Sequence, residues 1–296
     1  MPVAHLADRA VISIRGEEAM GFLGGLLTCA VDASPRARYG ALLTPQGKII
    51  ADFFLCREDA TGPGDHGEGQ GFWLDVARTV AEVLLKRLSL YKLRAKVAVA
   101  DVSAKFGVLA GWNVPLPHVT DGVAFPDPRF APMGWRFIAP ADRLAGHADA
   151  AAAEYERHRI ALAIPQGGRD FGYGDAFPHE AGMDQLGGVD FDKGCYVGQE
   201  VVSRMEHRGS ARTRIGALSF YGKAPSEAQE IKAGEKIIGR VGSVDAENGR
   251  AIAILRLDRL EDARSEKLAL RAGDSILHAE KPAWANYAFP KMGTDA

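Results

Sequence analysis

The segment at residues 192–200 reads DKGCYVGQE and places a cysteine, Cys195, between two glycines and close to a lysine. Glycine permits backbone conformations closed to other residues and lets a ligand approach the chain closely. The ammonium of Lys193 can lower the pKa of the cysteine thiol if the two side chains converge, whereas Asp192 acts in the opposite direction. Two interpretations of Cys195 stay open on these grounds: a reactive thiolate or a small buried apolar residue.

The other two cysteines have ordinary packing explanations. Cys29 follows a stretch with helical periodicity, and Cys56 ends an apolar run. We therefore expect Cys195 to be at least partly exposed and more reactive than either. Three widely spaced cysteines lack the C-x₂-C spacing of a stable cluster site, so we expect no resident metal site. So sparse a set of cysteines also suits a reducing cytoplasm.

The amino-acid composition excludes few classes of function, but it favours some classes over others. The chain has 296 residues, 47% hydrophobic and 25% charged, with a formal net charge of -2. That balance gives no bulk electrostatic reason to bind nucleic acid or an anionic membrane. The first ten residues lack a long apolar stretch, so no signal peptide is expected and the predicted location is cytoplasmic.

Moving outward from residues 192–200, the chain divides into two predicted regions. Residues 1–208 mix strands with helices, including a helix over Glu17–Leu27 and a hairpin whose turn is residues 44–47. Residues 61–70 are rich in Gly, Asp and Pro and predict a surface loop. Residues 209–296 carry short strands separated by glycines, which predicts a small antiparallel barrel.

The spacing KGCYxGQE at residues 193–200 resembles the signature of the YgfZ family, bacterial relatives of the mitochondrial Iba-type iron–sulfur assembly factors. Residues 26–31, 41–48, 127–129 and 134–136 are similar to the same family, so the resemblance covers nearly the whole chain. It implies an α+β, T-protein-like fold: two intertwined α/β units and a C-terminal antiparallel β-barrel around a central channel that holds folate. It also implies a role in assembly or repair of iron–sulfur enzymes, including radical enzymes that thiolate tRNA.

The same resemblance, combined with residue chemistry, indicates candidate site residues. Cys195 and Lys193 are the candidate reactive pair. Glu180 lies in a Glu-Ala-Gly element similar to that of T-proteins and is the candidate pterin anchor for tetrahydrofolate, because a carboxylate can accept two hydrogen bonds from the pterin edge. A solvated loop glutamate is the open alternative. Tyr196 could pack on a folate ring or belong to the core.

A basic run after the signature could hold the carboxylates of the folate tail. Its candidate ligands are Arg204 and Arg208, and the run also contains His207, Arg212 and Arg214. A solvated junction between domains is an equally good interpretation of the run.

Two other functions stay open at this point. A folate-dependent aminomethyltransferase would need an acid in a segment like Asn-Ala-x₄-Asp, but residues 76–82 lack the asparagine and offer only Glu82. An RNA-binding adaptor could use the arginine run, although the net charge and the lack of an RNA-binding motif disfavour it. The expected partners are folate and iron–sulfur enzymes or their assembly factors, with no membrane and no direct nucleic-acid binding.

Overall fold

A computed structural model describes residues 2–32, 36–58, 70–209 and 211–290. They form two compact units, each made of two chain segments. The first unit comprises Met1–Tyr155 and Leu186–Val201, and the second comprises Glu156–Gln185 and Val202–Ala296. The segments 156–185 and 202–208, which the sequence grouped with the N-terminal region, therefore belong to the same unit as the barrel.

The first unit contains two antiparallel sheets. In chain order its strands are β1 (Val3–His5), β2 (Arg9–Gly16), β3 (Ala37–Leu43), β4 (Ile49–Arg57), β5 (Gln70–Ala77), β6 (Ala98–Asp101), β7 (Phe106–Gly111), β8 (Val123–Pro126) and β9 (Trp135–Pro140). One sheet has the order β3-β4-β5-β2-β6 and the other β1-β7-β9-β8. Because the consecutive strands β1 and β2 join different sheets, the predicted intertwined arrangement is confirmed.

Helices connect and cover these strands. They are α1 (Ala19–Gly24), α2 (Arg78–Lys92), α3 (Leu144–His147), α4 (Ala152–Ala161) and α5 (Gln199–Arg208), with a short 3₁₀ turn at Ala131–Met133. The buried side chains of α2 recur at helical spacing, as expected for an amphipathic helix on a sheet. No helix in the described part of the chain combines the length and apolar character needed to cross a membrane.

The predicted hairpin is present, and the turn chemistry explains it. The N–H of Thr44 donates to the carbonyl of Lys48, and the N–H of Gly47 donates to the carbonyl of Thr44, both at 2.8 Å. Gly47 has a φ of 80°, a conformation that favours glycine. The loop predicted over residues 61–70 lies outside the described residues, apart from the start of β5 at Gln70.

The helix predicted over Glu17–Leu27 is shorter than expected, because only Ala19–Gly24 is helical. Glu17 and Glu18 precede the helix and bind Lys96, through its ammonium and its backbone N–H respectively. Three glycines in and after this stretch lower its helix propensity, which accounts for the difference.

A buried ionic network lies within the first unit. Arg129 pairs with Asp127 at 2.7 Å, and Arg136 and Arg9 each pair with Asp75 at 2.6 Å. All five side chains are nearly inaccessible to solvent. Removing one partner would leave a buried charge uncompensated and would strongly destabilise the unit. The segments 127–129 and 134–136, noted for their family resemblance, thus contribute to structure.

The second unit is built on the predicted barrel, which is closed. Its strands are β10 (Thr213–Tyr221), β11 (Glu230–Ala233), β12 (Lys236–Asp245), β13 (Arg250–Arg256), β14 (Leu270–Ala272) and β15 (Ser275–Glu280), in the order β10-β13-β12-β11-β14-β15. A short helix not foreseen from the sequence, α6 (Leu257–Ser265), packs against this core through Leu260 and Ala263. Most of its other side chains are charged, so it carries little helical periodicity.

A buried arginine explains why residues 156–185 belong with the barrel. Arg159 donates to Asp170 at 2.8 Å and to the hydroxyl of Ser243, on β12, at 2.7 Å. The N–H of Ser243 in turn donates to Asp170 at 2.7 Å. These charge-assisted bonds join a segment before the signature to a strand more than seventy residues later.

Candidate functional site

Cys195 lies in the loop before α5 and is exposed, whereas Cys29 and Cys56 are buried. The predicted accessibility of Cys195 is therefore confirmed. Burial raises the pKa of the Cys29 thiol to about 12 and raises that of Cys56 further. Since the thiolate is the nucleophile and the metal ligand, neither buried cysteine is chemically available in the folded protein at neutral pH.

Lys193 has a structural role that the sequence analysis did not foresee. Its ammonium donates to the carbonyls of Gly24, Leu27 and Cys29, at 2.9, 2.5 and 3.0 Å. It also lies 5.1 Å from the ring centroid of Tyr196. Burial lowers the pKa of Lys193. Because its ammonium donates to three backbone carbonyls, Lys193 ties the loop to the end of α1, and its catalytic role stays a prediction.

Two residues that the sequence analysis missed complete this anchorage. One carboxylate oxygen of Asp190 accepts the N–H groups of Asp192 and Lys193, at 3.0 and 3.1 Å. The N–H of Asp190 donates to the carbonyl of Thr28, and the buried Thr28 hydroxyl donates to the carbonyl of Gly188 at 2.6 Å. An aspartate two or three residues before the N–H groups it accepts is a turn signal that could have been read from the sequence.

The structure brings together two segments that carried the family resemblance. Gly198, with a φ of 85°, lies against the hairpin turn at residues 44–47. A Cβ at Gly198 would come within 2.6 Å of the Thr44 carbonyl oxygen and 3.2 Å of the Gly47 Cα. A Cβ at Gly194, by contrast, would meet no atom within 4 Å. Gly198 therefore serves packing, while the backbone beside Cys195 is open.

Tyr196 belongs to the core of the first unit. Its side chain is only 7% exposed, and burial raises its pKa to about 12. Its hydroxyl has no hydrogen-bond partner among the described residues. The N–H of Gln199 donates to the Tyr196 carbonyl at 3.2 Å, so the start of α5 is tied to the same residue. Of the two interpretations left open, the structure favours the core one.

Glu180 lies in the second unit, in a turn before the barrel. One carboxylate oxygen, Oε2, accepts the N–H of Phe177 at 2.9 Å, and the side chain is half-buried. Gly182 lies against the Trp284 ring, where a Cβ would come within 2.8 Å. The Glu-Ala-Gly element is thus held in place by local packing, with the second oxygen of Glu180 making no hydrogen bond to a described residue.

The arginines of the predicted basic run lie in two different environments. Arg204 and Arg208 lie four residues apart on α5 and are both exposed. Arg214 is instead buried: it donates to both carboxylate oxygens of Asp184 at 2.8 Å, and its guanidinium stacks on the ring of Tyr287 at 4.7 Å. Arg204 and Arg208 are therefore exposed to solvent, whereas Arg214 is not.

The chain is similar to known proteins along most of its length. Human "Iron-sulfur cluster assembly factor IBA57, mitochondrial" is 33% identical over 254 residues, which cover 75% of this chain and 67% of the human protein. This chain belongs to the IBA57 family. The IBA57 homolog of Mycosarcoma maydis is also 33% identical, over 74% of this chain and 57% of that protein's length. The chain thus spans little more than half of this fungal relative.

Comparisons of domains and fold agree with that membership. Residues 212–287 match the family described as "CAF17, C-terminal beta-barrel domain". The glycine cleavage system aminomethyltransferase T of Bartonella henselae superposes with a TM-score of 0.73 over 96% of this chain and 86% of that one, at 16% identity. The T-protein-like fold is therefore confirmed. The resemblance to YgfZ is confirmed only at the level of this wider IBA57 family.

The acid considered for aminomethyl transfer is not placed like a catalytic group in this IBA57-family chain. Glu82 is exposed on α2 and pairs with Lys86 one turn later, at 2.5 Å. The hydrogen bond from Lys86 lowers the pKa of Glu82. An exposed carboxylate with a depressed pKa is a poor general base.

Among the described residues, three side chains approach closely enough to share a metal ion: His179, Asp184 and Glu206, whose ligand atoms lie within 4.8 Å of one another. Glu206 already contacts the His179 ring at 2.9 Å. Arg214 binds both oxygens of Asp184. Because a guanidinium already provides the positive charge here, we interpret the cluster as an ion-pair network.

Proposed function

We propose that this chain supports the assembly or repair of iron–sulfur proteins, with the Cys195 thiolate contacting the cluster of a partner protein. The names of its IBA57 relatives support the first part of this proposal. The observation that carries the second is the contrast between Cys195, exposed on an anchored loop, and the two buried cysteines.

The number of ligands defines the kind of contact. An iron–sulfur cluster takes about four protein ligands, most often cysteine thiolates. Cys195 can supply one of them, and the thiols of Cys29 and Cys56 are buried and protonated. The remaining thiolate ligands come from another molecule, so the cluster is cargo shared with a partner. The bonds from Lys193 and Asp190 fix the loop backbone and so limit the entropy lost when the cluster is bound.

Complementation tests this proposal. Cells lacking the chromosomal gene would carry the wild-type chain, Cys195→Ser or the matched control Cys56→Ala, and the activities of their iron–sulfur enzymes would be measured. Cys195→Ser should fail to restore activity while its thermal midpoint stays within a degree or two of wild type. Cys56→Ala should restore activity wherever it accumulates normally. Full restoration by Cys195→Ser would refute the role of this thiolate.

We also propose that the chain binds tetrahydrofolate through the second unit. Glu180 fits the pterin edge because its Oε2 is held by Phe177 and its other oxygen is available. Arg204 and Arg208 are exposed cations suited to the carboxylates of the folate tail. The T-protein-like fold supports this proposal by analogy alone. Bound folate could carry a one-carbon group.

Calorimetry with tetrahydrofolate tests the folate proposal. Glu180→Gln should lose about 1.5–3 kcal/mol of binding free energy, the usual contribution of a hydrogen bond to a charged group. Glu235→Gln, an exposed barrel residue, is the matched control. Arg204→Gln with Arg208→Gln should weaken a triglutamate form more than a monoglutamate form. Equal affinities for wild type and Glu180→Gln would place the pterin elsewhere.

The client enzymes can be assigned in the same cells. We propose that they include radical enzymes that thiolate tRNA, and we expect thiolated nucleosides to decline with Cys195→Ser when measured by mass spectrometry. A methylamine-transfer assay with lipoyl carrier protein should show no transfer, because Glu82 is exposed and paired with Lys86. A gel shift with RNA should likewise show no salt-dependent binding.

A further inference from the structure

The exposed side of α2 carries apolar side chains that the fold does not use. The helix packs on the sheet through Val80, Ala81, Leu84 and Leu88. Val83 and Leu90, seven residues apart and so on one face, are 47% and 67% exposed, and Leu93 just after the helix is 87% exposed. We call Val83, Leu90 and Leu93 the α2 patch.

The Leu93 side chain packs against little of this chain, although its backbone is in an unfavourable conformation. It has a φ of 46° and a ψ of −107°, and the N–H of Ala95 donates to the carbonyl of Lys92 across it at 2.8 Å. This is the turn geometry in which glycine is strongly favoured, because a Cβ is strained there. A leucine that is both strained and exposed indicates a contact made outside the chain.

The charges around the α2 patch define its partner. Five cations follow Glu82 in the helix and the next turn: Lys86, Arg87, Lys92, Arg94 and Lys96. Glu82 neutralises Lys86, and Glu17 neutralises Lys96. Within the described ranges no carboxylate pairs with the other three. A local excess of positive charge on a chain of net charge -2 complements an acidic partner surface.

The α2 patch is connected to the Cys195 loop through α1. Glu17 and Glu18 bind Lys96 immediately before α1, and Lys193 binds the carbonyl of Gly24 where α1 ends. A six-residue helix is about 9 Å long. Leu93, at one end of the α2 patch, and the Cys195 loop are therefore linked to opposite ends of one short helix, a separation that a single partner can span.

We propose that the α2 patch docks an acidic segment, bearing aliphatic side chains, of the protein whose cluster Cys195 contacts. This inference rests on the proposed iron–sulfur function and deepens it. An anionic membrane fits less well, because its uniform negative charge would also face the exposed carboxylate of Glu18 beside the basic turn. A protein surface can complement both signs of charge.

Photo-crosslinking tests the docking. A benzophenone amino acid would replace Leu90 in one sample and Gly194, beside Cys195, in another, in cells carrying the otherwise full chain. We expect the same protein to be captured at both positions, through an acidic segment at position 90. Leu93→Gly and Arg87→Glu should each reduce capture at position 194 about tenfold, as truncation of a main anchor of an interface does. Leu116→Ser, which changes another exposed apolar residue, should leave it unchanged.

Control variants distinguish failure of the docking proposal from misfolding and from failure of the proposed function. Leu93→Gly should raise the thermal midpoint of the purified protein, since glycine relieves the strain, so lost capture cannot be attributed to misfolding. Undiminished capture at position 194 with both variants, while Cys195→Ser fails to complement, would overturn the docking and keep the proposed function. Full complementation by Cys195→Ser would instead remove the proposed function. Flotation of wild type, but not Leu93→Gly, with phosphatidylglycerol vesicles would overturn the proposal in favour of a membrane.

Discussion

The two glycines on either side of Cys195, Gly194 and Gly198, are the same residue type but have different surroundings in the structure. Substituting each by alanine therefore tests the packing argument. In Gly198→Ala, the new Cβ would sit at a φ of 85° and 2.6 Å from the Thr44 carbonyl oxygen. The left-handed conformation costs alanine about 1 kcal/mol, and forcing the contact apart costs about 1–3 kcal/mol more. We therefore expect Gly198→Ala to lower the free energy of unfolding by about 2–4 kcal/mol.

Gly194→Ala is the matched control. Its Cβ meets nothing within 4 Å and its φ is not positive, so the change in stability should stay within about 0.5 kcal/mol. Urea unfolding followed by circular dichroism measures both, and a lower midpoint with an unchanged m-value reports stability alone. Equal midpoints for the two variants would refute the argument that Gly198 is required by its contact with the hairpin turn.

Three further outcomes follow from the pKa shifts and hydrogen bonds. Lys193→Met should lower the free energy of unfolding by about 2–3 kcal/mol, because three carbonyls lose a charged donor; thermal melting measures this, and an unchanged midpoint would contradict it. Iodoacetamide should modify only Cys195 in folded protein up to about pH 9, since burial raises the pKa of Cys29 to about 12; mass spectrometry counts the adducts, and a second adduct without urea would contradict the assignment. Burial alone would raise the pKa of Asp127, but Arg129 lowers it below its ordinary value of 3.8. The unfolded chain therefore binds the proton more readily, and this stabilisation is present above about pH 4 and lost as the pH falls further. Asp127→Asn should be less stable than wild type at neutral pH and should lose less stability on acidification. Parallel acid titrations of the two proteins measure this, and unfolding curves of the same shape would show that the pair contributes nothing.

Much of the fold could be predicted because its signals are local. Proline and glycine at residues 45 and 47 specify the hairpin turn, and glycine-separated strands predicted the barrel. The exposure of Cys195 followed from its charged and glycine neighbours. The short helix α6 was missed because its nine residues are mostly charged and bury only two side chains.

The sequence by itself determined the hairpin, the barrel and the exposed cysteine, because turn preference, alternation and local polarity act over a few residues. Only the tertiary structure decided the role of Lys193, whose three acceptors lie more than 160 residues earlier in the chain. It also decided that residues 156–185 belong with the barrel, through Arg159 and Ser243. A long cationic side chain can reach many acceptors, and the one it binds depends on which distant backbone the fold brings within 3 Å of it.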